Sequence, residues 1–292
     1  MLTFDRLTVS YGAVHAVQDL SFTAPAGAVT GFLGANGAGK STALSALLGL
    51  VRVESGTATI DGRAFRDLPS PARAVGVLLS AAAFHPGRSG RDTLALAALA
   101  TGAGADRVAE VTDLVGLGHA IGRRVGTYSL GMRQRLGIAH ALMAEPPVLV
   151  LDEPANGMDP EGIRWMRGLL AGHARRGGTV LVSSHQLAEI QLMADRVVVI
   201  DAGRLVAEGS VDELTAASGV LVAATDAEAL RIALRGAGLD WHEPEERGGP
   251  LLVEADSAAV GALALRHELV LTHLADHRPA LEDVYLRLTG AA

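Results

Sequence analysis

Gly34-Ala35-Asn36-Gly37-Ala38-Gly39-Lys40-Ser41-Thr42 is the stretch that decides how the rest of the chain is interpreted. It fits the pattern G-x-x-x-x-G-K-[ST], in which glycines let backbone N–H groups converge on phosphate oxygens. The apolar segment 28–33 before it predicts a buried strand, and segment 42–48 after it predicts a helix with a partly positive N-terminus. We therefore predict a phosphate-binding loop in which Lys40 reaches the β- and γ-phosphates and the Ser41 hydroxyl holds Mg²⁺.

The distribution of lysine in the chain favours a phosphate-binding loop over an ordinary glycine-rich turn. Lys40 is the only lysine among the 25 basic residues of the chain, and the others are all arginine. A compact ammonium and a planar guanidinium are not interchangeable at a phosphate. The single exception to the arginine bias therefore marks a position where the ammonium itself is required.

Composition limits the classes of protein that the chain can belong to. Its 292 residues, 49% hydrophobic and 20% charged, suggest about two globular domains. Only 3% aromatic residues and a formal net charge of −7 argue against a general nucleic-acid binder. There is no cysteine, so disulfides and thiolate metal sites are excluded. No uninterrupted apolar run reaches about 18 residues, so we expect any membrane role to be played through a partner.

Hydrophobic patterning predicts an α/β fold in two domains. Apolar strands alternate with helical segments through residues 1–215, which indicates a mainly parallel sheet, with a helical subdomain at about 90–145. Within that subdomain the pattern predicts helical structure from Asp92 to about Gly118 and again from Ser129 to Met143. A second alternation of strands and helices over 216–292, including a strand at 268–273, predicts a small α/β accessory lobe, for which a ferredoxin-like arrangement is the candidate.

Polar residues follow two of the predicted strands directly. Asp152 and Glu153 end the apolar strand 148–151, and His185 follows the strand at 179–182. The carboxyl ends of strands in an open α/β sheet border the ligand crevice. We predict that Asp152 holds Mg²⁺, that Glu153 is the general base for the attacking water, and that His185 contacts a γ-phosphate oxygen.

The segment Tyr128-Ser129-Leu130-Gly131-Met132 begins a predicted helix. Ser129 is a favourable N-cap residue, and a helix N-terminus can also bind a phosphate. From the residues alone, a plain cap and a phosphate contact both stay open.

Taken together, these motifs resemble the ATP-binding subunit of an ABC (ATP-binding cassette) transporter. Segment 34–42 is similar to the Walker A loop and 148–153 to Walker B, while 128–132 has the position of the signature motif. Segment 156–159 is similar to the D-loop, and His185 and Tyr11 match the switch histidine and the aromatic residue that stacks on adenine. The resemblance covers about residues 2–215. It implies a P-loop NTPase cassette that binds ATP between two subunits, with Ser129 and Gly131 of one facing the Walker loop of the other.

Two positions depart from the family pattern. The signature has Leu130 where the family usually has glycine, a variant associated with drug-exporter-like members. The Q-loop glutamine, a Mg²⁺ ligand and a link to the membrane partner, is replaced by Ser80, which we expect to reach Mg²⁺ through water. The tail segment 281–289 also resembles the end of bacterial drug- and antibiotic-export ATPases.

The resemblance implies an ATPase that powers a separate membrane permease, with a drug-like or other small molecule as cargo. The expected cofactors are ATP and Mg²⁺, and the expected partners are a permease chain and a second ATPase subunit, identical or not. The expected location is cytoplasmic, on the inner face of the membrane. A non-transport ABC ATPase and an ATP-sensing module are the alternatives. The predicted nucleotide contacts are Tyr11, Gly34, Asn36, Gly37, Gly39, Lys40, Ser41, Thr42, Ser129, Gly131 and Asp159, and the predicted metal ligands are Ser41, Asp152 and Ser80.

Overall fold

A computed structural model describes residues 1–243 and 249–289 and divides the chain into two compact units, Met1–Val211 and Asp212–Ala292. The strands are β1 (Leu2–Tyr11), β2 (Val14–Ala24), β3 (Val29–Leu33), β4 (Ser55–Ile60), β5 (Val75–Leu78), β6 (Val148–Asp152), β7 (Thr179–Ser184), β8 (Arg196–Asp201), β9 (Arg204–Ser210), β10 (Gly219–Ala224), β11 (Trp241–His242), β12 (Leu251–Val253) and β13 (Leu271–His277). The helices are α1 (Lys40–Leu47), α2 (Pro71–Ala74), α3 (Gly90–Thr101), α4 (Ala105–Leu114), α5 (Leu130–Ala141), α6 (Pro160–Arg175), α7 (Leu187–Met193), α8 (Val211–Leu214), α9 (Ala227–Gly236), α10 (Ser257–Arg266) and α11 (Leu281–Thr289).

The first unit is built on a six-stranded sheet of order β5-β6-β7-β3-β8-β9. All neighbours in it are parallel except β9, which runs antiparallel to β8 at the edge. Every residue of β3, β6 and β7 is buried, as expected for central parallel strands covered on both faces. The parallel α/β core predicted from the sequence is confirmed.

A second, antiparallel sheet of order β2-β1-β4 packs on this core. The ring of Phe4 stacks on Phe22 with centroids 4.3 Å apart, and Phe22 contacts Phe32 of β3 at 5.1 Å. Leu44 and Leu47 of α1 belong to the same hydrophobic cluster. Fully burying a side chain of this kind contributes about 1.5–3 kcal/mol, so this cluster fixes α1 and the loop before it against both sheets.

The segments of the subdomain that the sequence predicts to be helical are largely helical in the structure. The helical stretch expected from Asp92 to about Gly118 is two helices, α3 and α4, because Gly102 adopts a left-handed conformation with φ of 70° and ends α3. Helix α5 begins as predicted, with Ser129 as its N-cap. Among the described helices, none has both the length and the apolar character needed to cross a bilayer.

The second unit contains the order β10-α9-β11-β12-α10-β13, followed by α11. Its antiparallel sheet has the order β11-β12-β10-β13, which is the split βαβ arrangement of ferredoxin-like folds. Val222 and Val253 of the sheet pack with Leu230, Leu234 and Val260 of its helices. The last strand spans Leu271–His277 instead of the predicted 268–273, since residues up to Leu269 belong to the turn after α10.

Candidate active site

Three adjacent parallel strands end at one edge of the six-stranded sheet, and the predicted chemical groups follow them. Leu33 at the end of β3 is in register with Ser184 of β7, and Asp152 at the end of β6 is in register with Ser183. Loop 34–39, Asp152, Glu153 and His185 therefore meet at the carboxyl edge of β3, β6 and β7. This is the edge where ligands bind in open α/β sheets.

The loop that follows β3 has the shape of an anion-binding turn. Gly34 is buried, Asn36 and Gly37 are exposed, and Gly39 caps α1 with φ of 102°. A Cβ atom on Gly39 would stand 2.3 Å from the carbonyl oxygen of Ala16, so only glycine fits this approach. The partly buried Thr42 lies in the first turn of α1. The exposed loop and the helix N-terminus together present backbone N–H groups to an anion.

Lys40 is held inside this turn. Its side chain is only 6% exposed, and Nζ donates hydrogen bonds to the carbonyl oxygens of Gly34 at 2.6 Å and Ala35 at 3.3 Å. Nζ also lies 3.7 Å from Oε1 of Glu153. The ammonium is therefore surrounded by oxygen atoms on the loop side and by a carboxylate on the strand side.

Ser41 and Asp152 form the next contact. The Ser41 hydroxyl donates to Oδ2 of Asp152 at 2.6 Å, and Asp152 is 8% exposed. Mg²⁺ takes oxygen ligands, commonly one or two carboxylates together with phosphate oxygens. The hydroxyl and carboxylate oxygens that converge here fit Mg²⁺.

Glu153 occupies an unusual backbone conformation, with φ of 49°. Its N–H donates to the hydroxyl oxygen of Ser183 at 3.0 Å and to the Ser183 carbonyl at 3.2 Å, while its own carbonyl accepts from Nε2 of Gln134 at 2.9 Å. Oε2 lies 2.8 Å from Nδ1 of His185. A glutamate with a left-handed backbone conformation is energetically unfavourable, so neighbouring contacts must stabilise it. Such strained residues are common at functional sites.

Glu189, one helical turn after His185, is close enough to this pair to interact electrostatically with both residues. Burial raises the pKa of Glu189 above its usual value, the negative charge of Glu153 raises it further, and His185 lowers it. Its Oε2 is buried and has no hydrogen-bond partner among residues 1–243 and 249–289. The charge state of Glu189 therefore contributes to the electrostatic potential at Glu153 and His185.

The signature segment lies beside the D-loop. The Ser129 hydroxyl accepts from the Met132 N–H at 3.2 Å as the N-cap of α5. A Cβ atom on Gly131 would stand 2.8 Å from the carbonyl oxygen of Gly157. Asp159 is the N-cap of α6 and accepts from the Gly162 N–H at 2.8 Å.

Tyr11 and Ser80 lie at the periphery. Tyr11 is 54% exposed at the end of β1, on the hairpin that brings Ala16 against Gly39. Ser80 is exposed just after β5, and its hydroxyl accepts from the Ala82 N–H at 3.2 Å. Its predicted link to Mg²⁺ stays a prediction.

Hydrogen bonds and ion pairs join only part of the predicted set directly. In the described part of the chain they connect Gly34, Lys40, Ser41, Asp152, Glu153 and His185. No described hydrogen bond or ion pair joins Tyr11, Ser80, Ser129, Gly131 or Asp159 to the two carboxylates or to Lys40. Sequence reasoning missed Gln134, Ser183 and Glu189. The position of Ser183 near a strand end, two residues before the predicted His185, was the one available signal.

Known families match both units of the chain. The ABC transporter family matches residues 17–156, and a domain family of unknown function matches residues 218–282. The daunorubicin/doxorubicin resistance ATP-binding protein of Streptomyces peucetius is 35% identical, over 96% of this chain and 89% of that protein. The bacitracin transport ATP-binding protein of Bacillus licheniformis is 40% identical, over 71% of this chain and 69% of that protein.

The solved structures agree with the fold. An ATP-binding subunit of an ABC transporter superposes with a TM-score of 0.68 at 27% identity, over 73% of this chain and 91% of that one.

Proposed function

The chain belongs to the family of ABC transporter ATP-binding proteins, and from this premise we propose that it hydrolyses ATP to power a separate permease that exports a drug-like or other small molecule. ATP hydrolysis and work through a separate permease are properties of the family. The observation that carries the proposal for this chain is the contact network of Lys40, Ser41, Asp152, Glu153 and His185 at one sheet edge.

Each residue of the network has a chemical role in this proposal. Lys40 and the N–H groups of loop 34–39 bind the β- and γ-phosphates, and Ser41 and Asp152 would hold Mg²⁺. A Mg²⁺ ion held by these two residues would neutralise charge that develops on the phosphate oxygens. Glu153 accepts a proton from the water that attacks the γ-phosphorus, the bond from that phosphorus to the β–γ bridging oxygen breaks, and ADP and inorganic phosphate leave.

His185 orients the general base. Its Nδ1 lies 2.8 Å from Oε2 of Glu153, while Lys40 lies on the Oε1 side of the same carboxylate. The carboxylate is therefore held between two nitrogen groups, which limits its rotation before water arrives. A positioned base commonly contributes about 10²–10⁴-fold to the rate.

The catalytic unit in this proposal is a dimer that binds ATP between its subunits. Ser129 is exposed at the N-terminus of α5, a helix of 12 residues, where N–H groups can bind an anion. Family resemblance assigns Ser129 and Gly131 to the γ-phosphate bound by the other subunit, Tyr11 to adenine, and Asp159 to the D-loop at the junction. Whether the second subunit is identical is an outcome of the test below.

The names of the relatives support the proposed cargo and the proposed location. Two of them are named for bacitracin transport and for daunorubicin/doxorubicin resistance, which supports export of an antibiotic-like molecule. We propose that the chain is peripheral on the cytoplasmic face of the membrane, bound to its permease. In this family the permease selects the cargo, so export assays require both chains.

The test uses Glu153→Gln, with Glu161→Gln as control because Glu161 is an exposed acid in the first turn of α6. We expect Glu153→Gln to bind ATP, to turn over about 10²–10⁴-fold more slowly, and to shift from monomer to dimer mass when Mg-ATP is added. Normal turnover in Glu153→Gln would contradict the assigned base. ATP binding without dimerisation indicates that closure requires the permease or an unlike subunit.

A further inference from the structure

We propose that Ser183 is a positioning residue that sets the orientation of both Asp152 and Glu153. This inference rests on the roles proposed above for those two carboxylates. Ser183 is the penultimate residue of β7, in register with Asp152 of β6, and it is 0% exposed. Strand β7 itself lies between β6, the strand that bears the carboxylates, and β3.

The Ser183 hydroxyl acts as both a hydrogen-bond donor and a hydrogen-bond acceptor. It donates its proton to Oδ1 of Asp152, and its oxygen accepts the N–H of Glu153 at 3.0 Å. A hydroxyl has one donor and two acceptor lone pairs, so a single side chain can contact two neighbouring residues in this way. Alanine could make neither contact.

The contact with Asp152 orients its carboxylate. Because Oδ1 is bound by Ser183, the other oxygen, Oδ2, lies towards Ser41 at 2.6 Å. That is the oxygen positioned to share a Mg²⁺ ion with the Ser41 hydroxyl. Partners of this kind, behind the metal ligands, commonly change metal affinity or activity by about 10–100-fold when they are removed.

The contact with Glu153 stabilises its backbone. The Glu153 N–H is shared between the hydroxyl and the carbonyl oxygens of Ser183, and the residue has φ of 49°. This conformation lets the side chain reach His185 while its backbone stays attached to β7. Without the hydroxyl, only the longer bond to the Ser183 carbonyl, at 3.2 Å, holds the turn from this side.

A purely structural role for Ser183 makes a different prediction. If the hydroxyl contributed only packing and hydrogen bonds that stabilise the fold, its loss would lower the Tm without changing the Mg²⁺ concentration that ATP binding requires. The neighbouring Ser184 supplies a matched control because it is also buried in β7, and its hydroxyl accepts from the Gln186 N–H at 2.9 Å instead of contacting Asp152 or Glu153.

The experiment compares Ser183→Ala, Ser183→Thr and Ser184→Ala with the unmodified chain. ATP affinity is measured in EDTA and then along a MgCl₂ titration, together with kcat, KM and the ligand-free Tm. For Ser183→Ala we expect unchanged ATP affinity in EDTA, about 10–100-fold more Mg²⁺ at the midpoint, and a kcat that is lower by at least about tenfold. Ser183→Thr keeps the hydroxyl and should restore both values to within about threefold, while Ser184→Ala should leave them unchanged.

Two results would overturn the inference. One is a Ser183→Ala variant with the original Mg²⁺ midpoint and kcat, and the other is an equal change in Ser184→Ala. Asp152→Asn and Glu153→Gln separate this failure from a failure of the proposed function. If those two variants lose turnover while Ser183→Ala does not, only the role of Ser183 is wrong. If they also hydrolyse ATP at the normal rate, the proposed site itself is wrong.

Discussion

The side chain of Leu130 lies directly against Gly157, so that a Cβ atom on Gly157 would stand 2.6 Å from both Cγ and Cδ2 of Leu130. Leu130 begins α5, and Gly157 belongs to the loop that leads into α6. The signature segment and the D-loop are thus in steric contact at the residue where this chain departs from the usual family glycine. We expect this contact to couple the signature segment to the D-loop energetically.

Replacing Gly157 with alanine tests this contact. Gly157 has φ of 73°, and the added methyl group overlaps Leu130, so we expect Gly157→Ala to lower the free energy of unfolding by about 1–3 kcal/mol. Leu130→Gly should recover part of that loss in the double variant. Denaturant unfolding of both single variants and the double variant measures the coupling, which we expect to exceed about 0.5 kcal/mol. Strict additivity would show that the two side chains act independently.

Lys40→Arg should fail as completely as Lys40→Ala in binding ATP. Nζ fits among the carbonyl oxygens of Gly34 and Ala35 in a side chain that is 6% exposed, and a planar guanidinium cannot occupy that space. We expect at least about tenfold weaker ATP binding, about 1.4 kcal/mol, by equilibrium titration. The exposed Arg63 provides the reciprocal control, Arg63→Lys, which should bind ATP normally. Tight ATP binding by Lys40→Arg would exclude a specific need for the ammonium.

His185→Ala should separate turnover from binding. Nδ1 of His185 lies 2.8 Å from Oε2 of Glu153. Removal of the imidazole therefore lets the Glu153 carboxylate rotate, while the phosphate-binding loop 34–39 is unchanged. We expect kcat to fall about 10²-fold, as for loss of one preorganised polar contact, with ATP affinity within about twofold. His119→Ala, at an exposed histidine of the helical subdomain, is the control. An equal loss of affinity and of kcat would instead indicate that His185 binds nucleotide in the ground state.

Glu189→Gln should change stability in a pH-dependent way. Burial, and then the charge of Glu153, raise the pKa of Glu189 in the folded chain. A carboxyl with a raised folded pKa stabilises the fold below its unfolded pKa, and that contribution is lost as pH rises through the folded pKa. Glutamine removes the ionised group, so we expect a higher Tm than that of the unmodified chain at pH 8. The difference should diminish towards pH 4, and a pH-independent difference would exclude titration of Glu189 as its cause.

Local pattern was sufficient to predict much of the nucleotide-binding unit. The phosphate-loop pattern and the wholly apolar strands β3, β6 and β7 depend on residues close together in the chain, and the structure contains them with small shifts in their bounds. Strand β9 was missed because it lies at the sheet edge with mostly exposed or half-buried residues, which leaves no apolar run. Strand β11 has only two residues, too few to show any periodicity.

The contacts of Ser183, Gln134 and Glu189 could not be predicted in the same way. Each depends on elements that are distant in sequence, such as the register of Ser183 with Asp152 across β6 and β7. The left-handed backbone of Glu153 has no signature in its residue type, since glutamate gives no reason to expect positive φ. These features emerge only when the sheet order is known.

The solitary lysine has a practical consequence for chemical labelling. Since every other Lys/Arg position is arginine, Lys40 carries the one side-chain amine that an acylating reagent can modify. That amine lies within the phosphate-binding loop, where Nζ donates a hydrogen bond to the carbonyl oxygen of Gly34. Bound nucleotide would shield that amine from acylation. The decrease in Lys40 acylation when nucleotide is added, measured by mass spectrometry, would therefore report the fraction of subunits that hold nucleotide, with no engineered probe in the chain.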